Sequence, residues 1–133
     1  FNGAKGLTEI NIPASVTSIG IGAFSGATSL SKITFSEGSA ITSIGIYAFS
    51  GAKGLTSITI PASVESIGQH AFQGTTNLTS ITIPASVTSI APGAFYQSGL
   101  TTVYIANNQT IGTTTITSPQ EGEERVKFTA AAL

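Results

Sequence analysis

The sequence predicts a repeat solenoid, mainly β: a stack of about five turns with a parallel sheet on one face and short turns or helical turns on the other. Three observations predict it. A unit of about 23 residues recurs down almost the whole chain, with the skeleton Leu, two spacers, Ile, one spacer, Ile-Pro-Ala-Ser-Val, two spacers, Ile-Gly, two spacers, Ala-Phe. The apolar residues, 41% of 133, fall in pairs and triplets, with no run near the roughly 18 that a membrane span needs. One unit buries about seven apolar side chains at roughly 1.5–3 kcal/mol for the large ones. Ordering its residues costs at least ~1 kcal/mol each, so a lone unit does not fold and the units must stack.

Read in order, Leu7-Thr8-Glu9-Ile10-Asn11-Ile12-Pro13 returns as Leu55 to Pro61 and Leu78 to Pro84, while Leu30 and Leu100 open variant copies. Alternation in Ile10-Asn11-Ile12, Ile33-Thr34-Phe35, Ile58-Thr59-Ile60, Ile81-Thr82-Ile83 and Val103-Tyr104-Ile105 is the period-two pattern of a short strand. Equivalent strands of successive turns are expected to pair in parallel. Pro13, Pro61 and Pro84 follow directly, where a missing N–H and a fixed φ stop the ladder and turn the chain. Val16 with Ile19, Val64 with Ile67 and Val87 with Ile90 supply a second inward pair, and Ala-Phe at 23–24, 48–49, 71–72 and 94–95 closes each coil. Gly20, Gly45 and Gly68 are expected at tight bends, and Ser15, Ser63 and Ser86 at hydrogen bonds to corner backbone.

The repeats fall near 7–29, 30–54, 55–77, 78–99 and 100–118, forming a solenoid over 1–118. Residues 1–6 read as the end of a truncated repeat, because Phe1 to Leu7 matches Phe49 to Leu55. Irregular copies interrupt the pattern. The second unit carries Ser36-Glu37-Gly38-Ser39-Ala40 where its neighbours have Pro-Ala-Ser, two residues longer, which predicts an outward loop. From Pro119 the composition shifts, with Glu121, Glu123, Glu124, Arg125 and Lys127 close together. Residues 119–133 are assigned to a C-terminal cap or linker, the polar ending that a solenoid core needs.

The pattern LxxIxIPxSVxxIGxxAF resembles the BspA-like (Treponema pallidum type) leucine-rich repeat family over approximately residues 1–111. The resemblance implies a leucine-rich-repeat solenoid, curved or superhelical, on the exterior of bacteria or protists or encoded by large viruses. It implies adhesion to host proteins or protein–protein contact, and no enzyme chemistry. This chain departs from the family at Ala27, Ala52 and Thr75, where Cys or Asn often stands a few residues after the Phe.

Composition points the same way. With no cysteine there is no thiol nucleophile, disulfide or zinc-thiolate site. Charged residues are 8% of the chain and the net charge is -1, which leaves no basic stripe for nucleic acid. His70 is the only histidine and there is no Asp, so neither a Ser-His-Asp triad nor a two-histidine metal site can be assembled. The expectation is a protein that is not an enzyme, with no cofactor and no metal.

Function is then expected on surface columns. Asn11, Thr34, Thr59, Thr82 and Tyr104 line up on the exposed face of the main sheet as the candidate binding face, with Tyr104 as an aromatic anchor. Glu9 and Lys32 flank it in one column as an exposed cross-strand pair. A second column aligns Gly22, Tyr47, His70 and Gly93, and with Ile21 and Ile46 it forms a secondary candidate patch of Ile21, Ile46, Tyr47 and His70. Asn77-Leu78-Thr79 and Asn108-Gln109-Thr110 are sequons, which makes Asn77 and Asn108 candidate glycosylation sites. The partner expected is an extracellular protein or glycan, with no nucleic acid and no membrane span, and the location extracellular or cell surface. The alternative is a structural subunit assembling end to end by head-to-tail self-association through solenoid stacking.

Overall fold

The computed structural model describes residues 1–105, 109–111, 114–116 and 125–126. It is a parallel-sheet β-solenoid of about four turns, one fewer than the repeat count suggests. The turns can be followed on one column of rings: Phe1, Phe24, Phe49, Phe72 and Phe95 stack along the axis with centroids 5.2–5.7 Å apart and planes within 12°.

The strands lie on two sides of the coil. The main sheet draws on β1 (Glu9–Ile12), β3 (Lys32–Phe35), β6 (Ser80–Ile83) and β8 (Thr102–Ile105). A second sheet is built from the two-residue strands β2 (Ser18–Ile19), β4 (Ser43–Ile44), β5 (Ser66–Ile67) and β7 (Ser89–Ile90). Its order is β2-β4-β5-β7, all parallel, with the Ser of each strand opposite the Ser of the next. The Ile of each pair points inward and is buried.

Where helical turns are expected, no helix forms among the described residues. The hydrogen bonds explain why. Gly22, Phe24 and Gly26 donate their N–H groups to the carbonyls of Ile46, Ala48 and Ser50 in the next turn, at 2.7–2.8 Å. Donors that bond between turns are not available for the i→i−4 bonds of a helix. Local closure is by short turns such as Ala48 N–H to Gly45 C=O, 3.1 Å.

The main sheet is less continuous than the repeat implies. β1 pairs with β3 over four residues and β6 with β8 over four, both parallel. The intervening copy, Ser57–Ile60, forms no strand and is joined by the single bridge Thr59↔Thr82. The residue after the strand, where it is proline, removes one rung. The β1–β3 ladder ends with the Ser36 N–H donating to the Ile12 carbonyl, 2.9 Å. The corresponding donor against β3 would be Pro61, and against Ile60 it would be Pro84, and neither has an N–H. The same proline that turns the chain therefore removes the last rung to the preceding turn.

One core runs the length of the stack. Leu30, Leu55 and Leu78, with Phe49, Phe72 and Phe95, are fully buried, and Ile33, Ile58 and Ile81 line the sheet side. Gly45 and Gly68 serve close approach rather than bending. A Cβ on Gly68 would lie 2.7 Å from Ile46 N and 2.8 Å from Gly45 C, both backbone atoms of the preceding turn. Of the corner serines, Ser63 donates to the Ile41 carbonyl at 2.6 Å, whereas the Ser86 hydroxyl is buried without a partner. Beyond β8, the strands β9 (Gln109–Ile111) and β10 (Thr114–Ile116) pair antiparallel, and β11 (Arg125–Val126) lies antiparallel on the outer edge of β8.

Candidate binding face

The pleat sends alternate side chains of the main sheet to solvent. Asn11 is opposite Thr34, Thr59 opposite Thr82, and Thr82 opposite Tyr104. The five expected residues thus fall in two aligned groups, Asn11 with Thr34 and Thr59 with Thr82 and Tyr104, and the ladder is broken between Thr34 and Thr59. Asn11, Thr34, Thr59 and Thr82 are exposed and Tyr104 is half-buried.

Local hydrogen bonds order the first group. Thr34 Oγ1 donates to Asn11 Oδ1 at 2.9 Å, and Asn11 Nδ2 donates to Ser36 Oγ at 3.0 Å. Glu9 and Lys32 stand opposite one another beside it and, with Asn11 and Thr34, border a shallow depression of about 370 Å³. Along both sheets, hydroxyls tie each turn to the one before: Ser31 to the Thr8 carbonyl, Thr88 to that of Glu65 and Thr101 to that of Thr79, at 3.1–3.3 Å.

The second column lies on the turn side. The Tyr47 and His70 rings stack with centroids 5.1 Å apart and planes 14° from parallel. Ile21, Ile46 and Tyr47 are exposed, with 77% of Ile21 accessible, and His70 is half-buried. Their backbone is what the sequence reading missed. Gly22, Tyr47, His70 and Gly93 all hold left-handed φ, at 62°, 58°, 56° and 74°. Glycine adopts that conformation freely, whereas a tyrosine or histidine there is strained. The two glycines of the column were the available signal. Gly93 has a further reason to lack a side chain, since its Cβ would lie 2.8 Å from His70 Cε1. His70 Nδ1 is shut away from solvent with no hydrogen-bond partner.

Asn77 is exposed, and its Nδ2 donates to the Lys53 carbonyl of the preceding turn at 2.7 Å, a polar tie between turns. At the departing position Thr75, the hydroxyl is buried and bonds the Phe72 carbonyl at 2.7 Å. Asn108 lies outside the described residues, as does most of 119–133. Among the described residues no three His, Asp, Glu or Cys side chains gather as metal ligands, and no helix is long and apolar enough to cross a membrane.

The family model described as BspA type leucine rich repeat region matches residues 1–119 with six copies. Solved structures agree with it. The chain is 29% identical to a leucine rich repeat protein of T. pallidum, with a TM-score of 0.74 over 86% of this chain and 60% of that one. It is 36% identical to a leucine-rich repeat protein of Bacteroides ovatus, TM-score 0.69, over 77% of this chain and 26% of that one. A leucine rich cell surface protein of Faecalibacterium prausnitzii is 32% identical, TM-score 0.55, over 80% of this chain and 35% of that one. The chain spans less than two thirds of the length of each of these proteins. None of the curated proteins matches it.

Proposed function

Because the chain belongs to the BspA-type leucine-rich repeat family, we propose that it is a non-enzymatic binding module of an extracellular or cell-surface protein, whose main sheet face meets a protein or glycan partner. The observation that carries this is two aligned rows on that face, Asn11 with Thr34 and Thr59 with Thr82 and Tyr104, which set hydroxyl and amide groups beside an aromatic ring. Such a row offers hydrogen bonds at the strand spacing of about 4.8 Å, and Tyr104 offers the ring that interface hot spots favour. The cell-surface relative in Faecalibacterium prausnitzii supports the location.

Within the expected cap or linker at 119–133, we infer a capping role for β11. In support, β11 lies against the outer edge of β8, covering main-chain groups that would otherwise invite pairing with another chain.

The test is a panel of extracellular matrix proteins and a glycan array, probed with the chain and with a Thr82→Lys/Tyr104→Lys variant. Binding by the chain that the variant loses by tenfold or more supports the proposal. A partner that binds both equally removes the sheet face from it.

A further inference from the structure

Where the sheet ladder fails, between β3 and the Thr59–Ser63 segment, the surface opens into a groove of about 460 Å³. This size lies within the roughly 300–1,000 Å³ of ligand sites. It coincides with two irregularities, the two-residue insertion at 36–40 and the missing rung at Pro61. One wall is the free edge of β3. Lys32 and Ser36 turn their N–H groups to the Thr8 and Ile12 carbonyls of the preceding turn. In a parallel ladder, alternate residues face opposite neighbours, so Ile33 and Phe35 present their main-chain groups toward the groove. β3 has β1 as its only strand partner among the described residues. The other wall carries Pro61, which has no N–H to offer the Phe35 carbonyl.

The rest of the lining says what fits. No side chain in it is charged; half-buried Phe35 and Pro61 supply apolar surface, and the rim is hydroxyl, from Thr34, Ser36, Thr59 and Ser63. Thr34 and Thr59 also belong to the candidate face, and Ser36 is tied to Asn11, so the groove is continuous with that face. A free strand edge presents donors and acceptors in the alternation that another extended main chain complements.

We propose that this groove seats an extended, uncharged peptide segment of the partner, whose main-chain groups pair with Ile33 and Phe35 and supply the N–H that Pro61 lacks. The proposal rests on the sheet-face reading above and narrows its partner to a protein.

The experiment is selection of a displayed random dodecapeptide library on the whole chain, followed by titration of the enriched peptides against variants. Ala62→Trp places a bulky ring at an exposed groove position without touching the core. It is expected to weaken the peptides at least tenfold, while Thr82→Lys/Tyr104→Lys weakens them less. N-methylation at alternate peptide positions is expected to cost tenfold or more, and at the intervening positions little. Peptides insensitive to Ala62→Trp but lost with Thr82→Lys/Tyr104→Lys overturn the groove and leave the face standing. Insensitivity to N-methylation overturns main-chain pairing. A library with no enriched peptide overturns the peptide occupant, and so does a glycan array whose hits are lost in Ala62→Trp.

Discussion

The imidazole of His70 lies on the phenol ring of Tyr47, 5.1 Å between centroids, and both residues hold the left-handed backbone that their column gives to glycine in the first and fourth turns. Left-handed φ costs an ordinary residue about 1–2 kcal/mol, while a stacked pair returns about 0.5–1.5 kcal/mol. The two terms can be measured separately.

At position 70, alanine removes the ring and keeps the backbone cost, whereas glycine removes both. His70→Gly is therefore expected to be more stable than His70→Ala by about 1 kcal/mol in urea unfolding. A Tyr47→Ala/His70→Ala double-mutant cycle is expected to give a coupling of about 0.5–1.5 kcal/mol. Equal stability of the two position-70 variants would show that the backbone there carries no strain.

The phenylalanine stack is the spine of the core. Phe72 is fully buried between Phe49 and Phe95, with centroids 5.2 and 5.3 Å away. Phe72→Ala is expected to cost about 3–5 kcal/mol and Phe72→Leu less than half as much. Denaturation followed by circular dichroism checks both.

Glycines in one column separate bending from stacking. Gly68→Ala forces a Cβ to 2.7 Å from backbone nitrogen of Ile46, and no flexible side chain is there to yield. Its expected cost is about 1–3 kcal/mol. At Gly20 an added Cβ would meet nothing within 4 Å, and the backbone holds no left-handed φ, so Gly20→Ala is expected to be neutral or stabilising by about 0.4–1 kcal/mol. Thermal melts of the pair give the contrast directly.

Proline's effect on the ladder is testable by hydrogen exchange. Pro61→Ala restores a donor opposite the Phe35 carbonyl, and the new amide at 61 is expected to exchange at least tenfold more slowly than an exposed loop amide. Rapid exchange there would mean that the 36–40 insertion, and not the proline, holds the sheet open.

Much of this fold could be read from residues alone, because buried columns repeat in identity as well as spacing. Leu30, Leu55 and Leu78 each follow a core Phe by six residues, at Phe24, Phe49 and Phe72, and these leucines, with Phe49 and Phe72, are fully buried. The second sheet was harder to see, since a strand of two residues such as Ser18–Ile19 is too short to show alternation. The break at Ser57–Ile60 was hidden for a different reason: that copy is the most regular in the chain, and its partner in the preceding turn is the irregular one. Pairing depends on both strands, so one copy read by itself does not reveal it. The alignment of Asn11 with Thr34 and of Thr59 with Thr82 and Tyr104 followed from the repeat offset. The groove beside Phe35 did not, because it arises from what the 36–40 loop and Pro61 do together.

The chain has no cysteine, so single-cysteine variants can be labelled with an environment-sensitive fluorophore at one chosen surface. The most direct test of the sheet-face account labels Thr82→Cys on that face and Ile21→Cys on the turn-side patch, then titrates each with a partner found on the protein and glycan panel. The account predicts a saturable fluorescence change at position 82 with the affinity of the unlabelled chain and no change at position 21. A saturable change at position 21 with none at position 82 would contradict it and move the binding site to the Tyr47–His70 side.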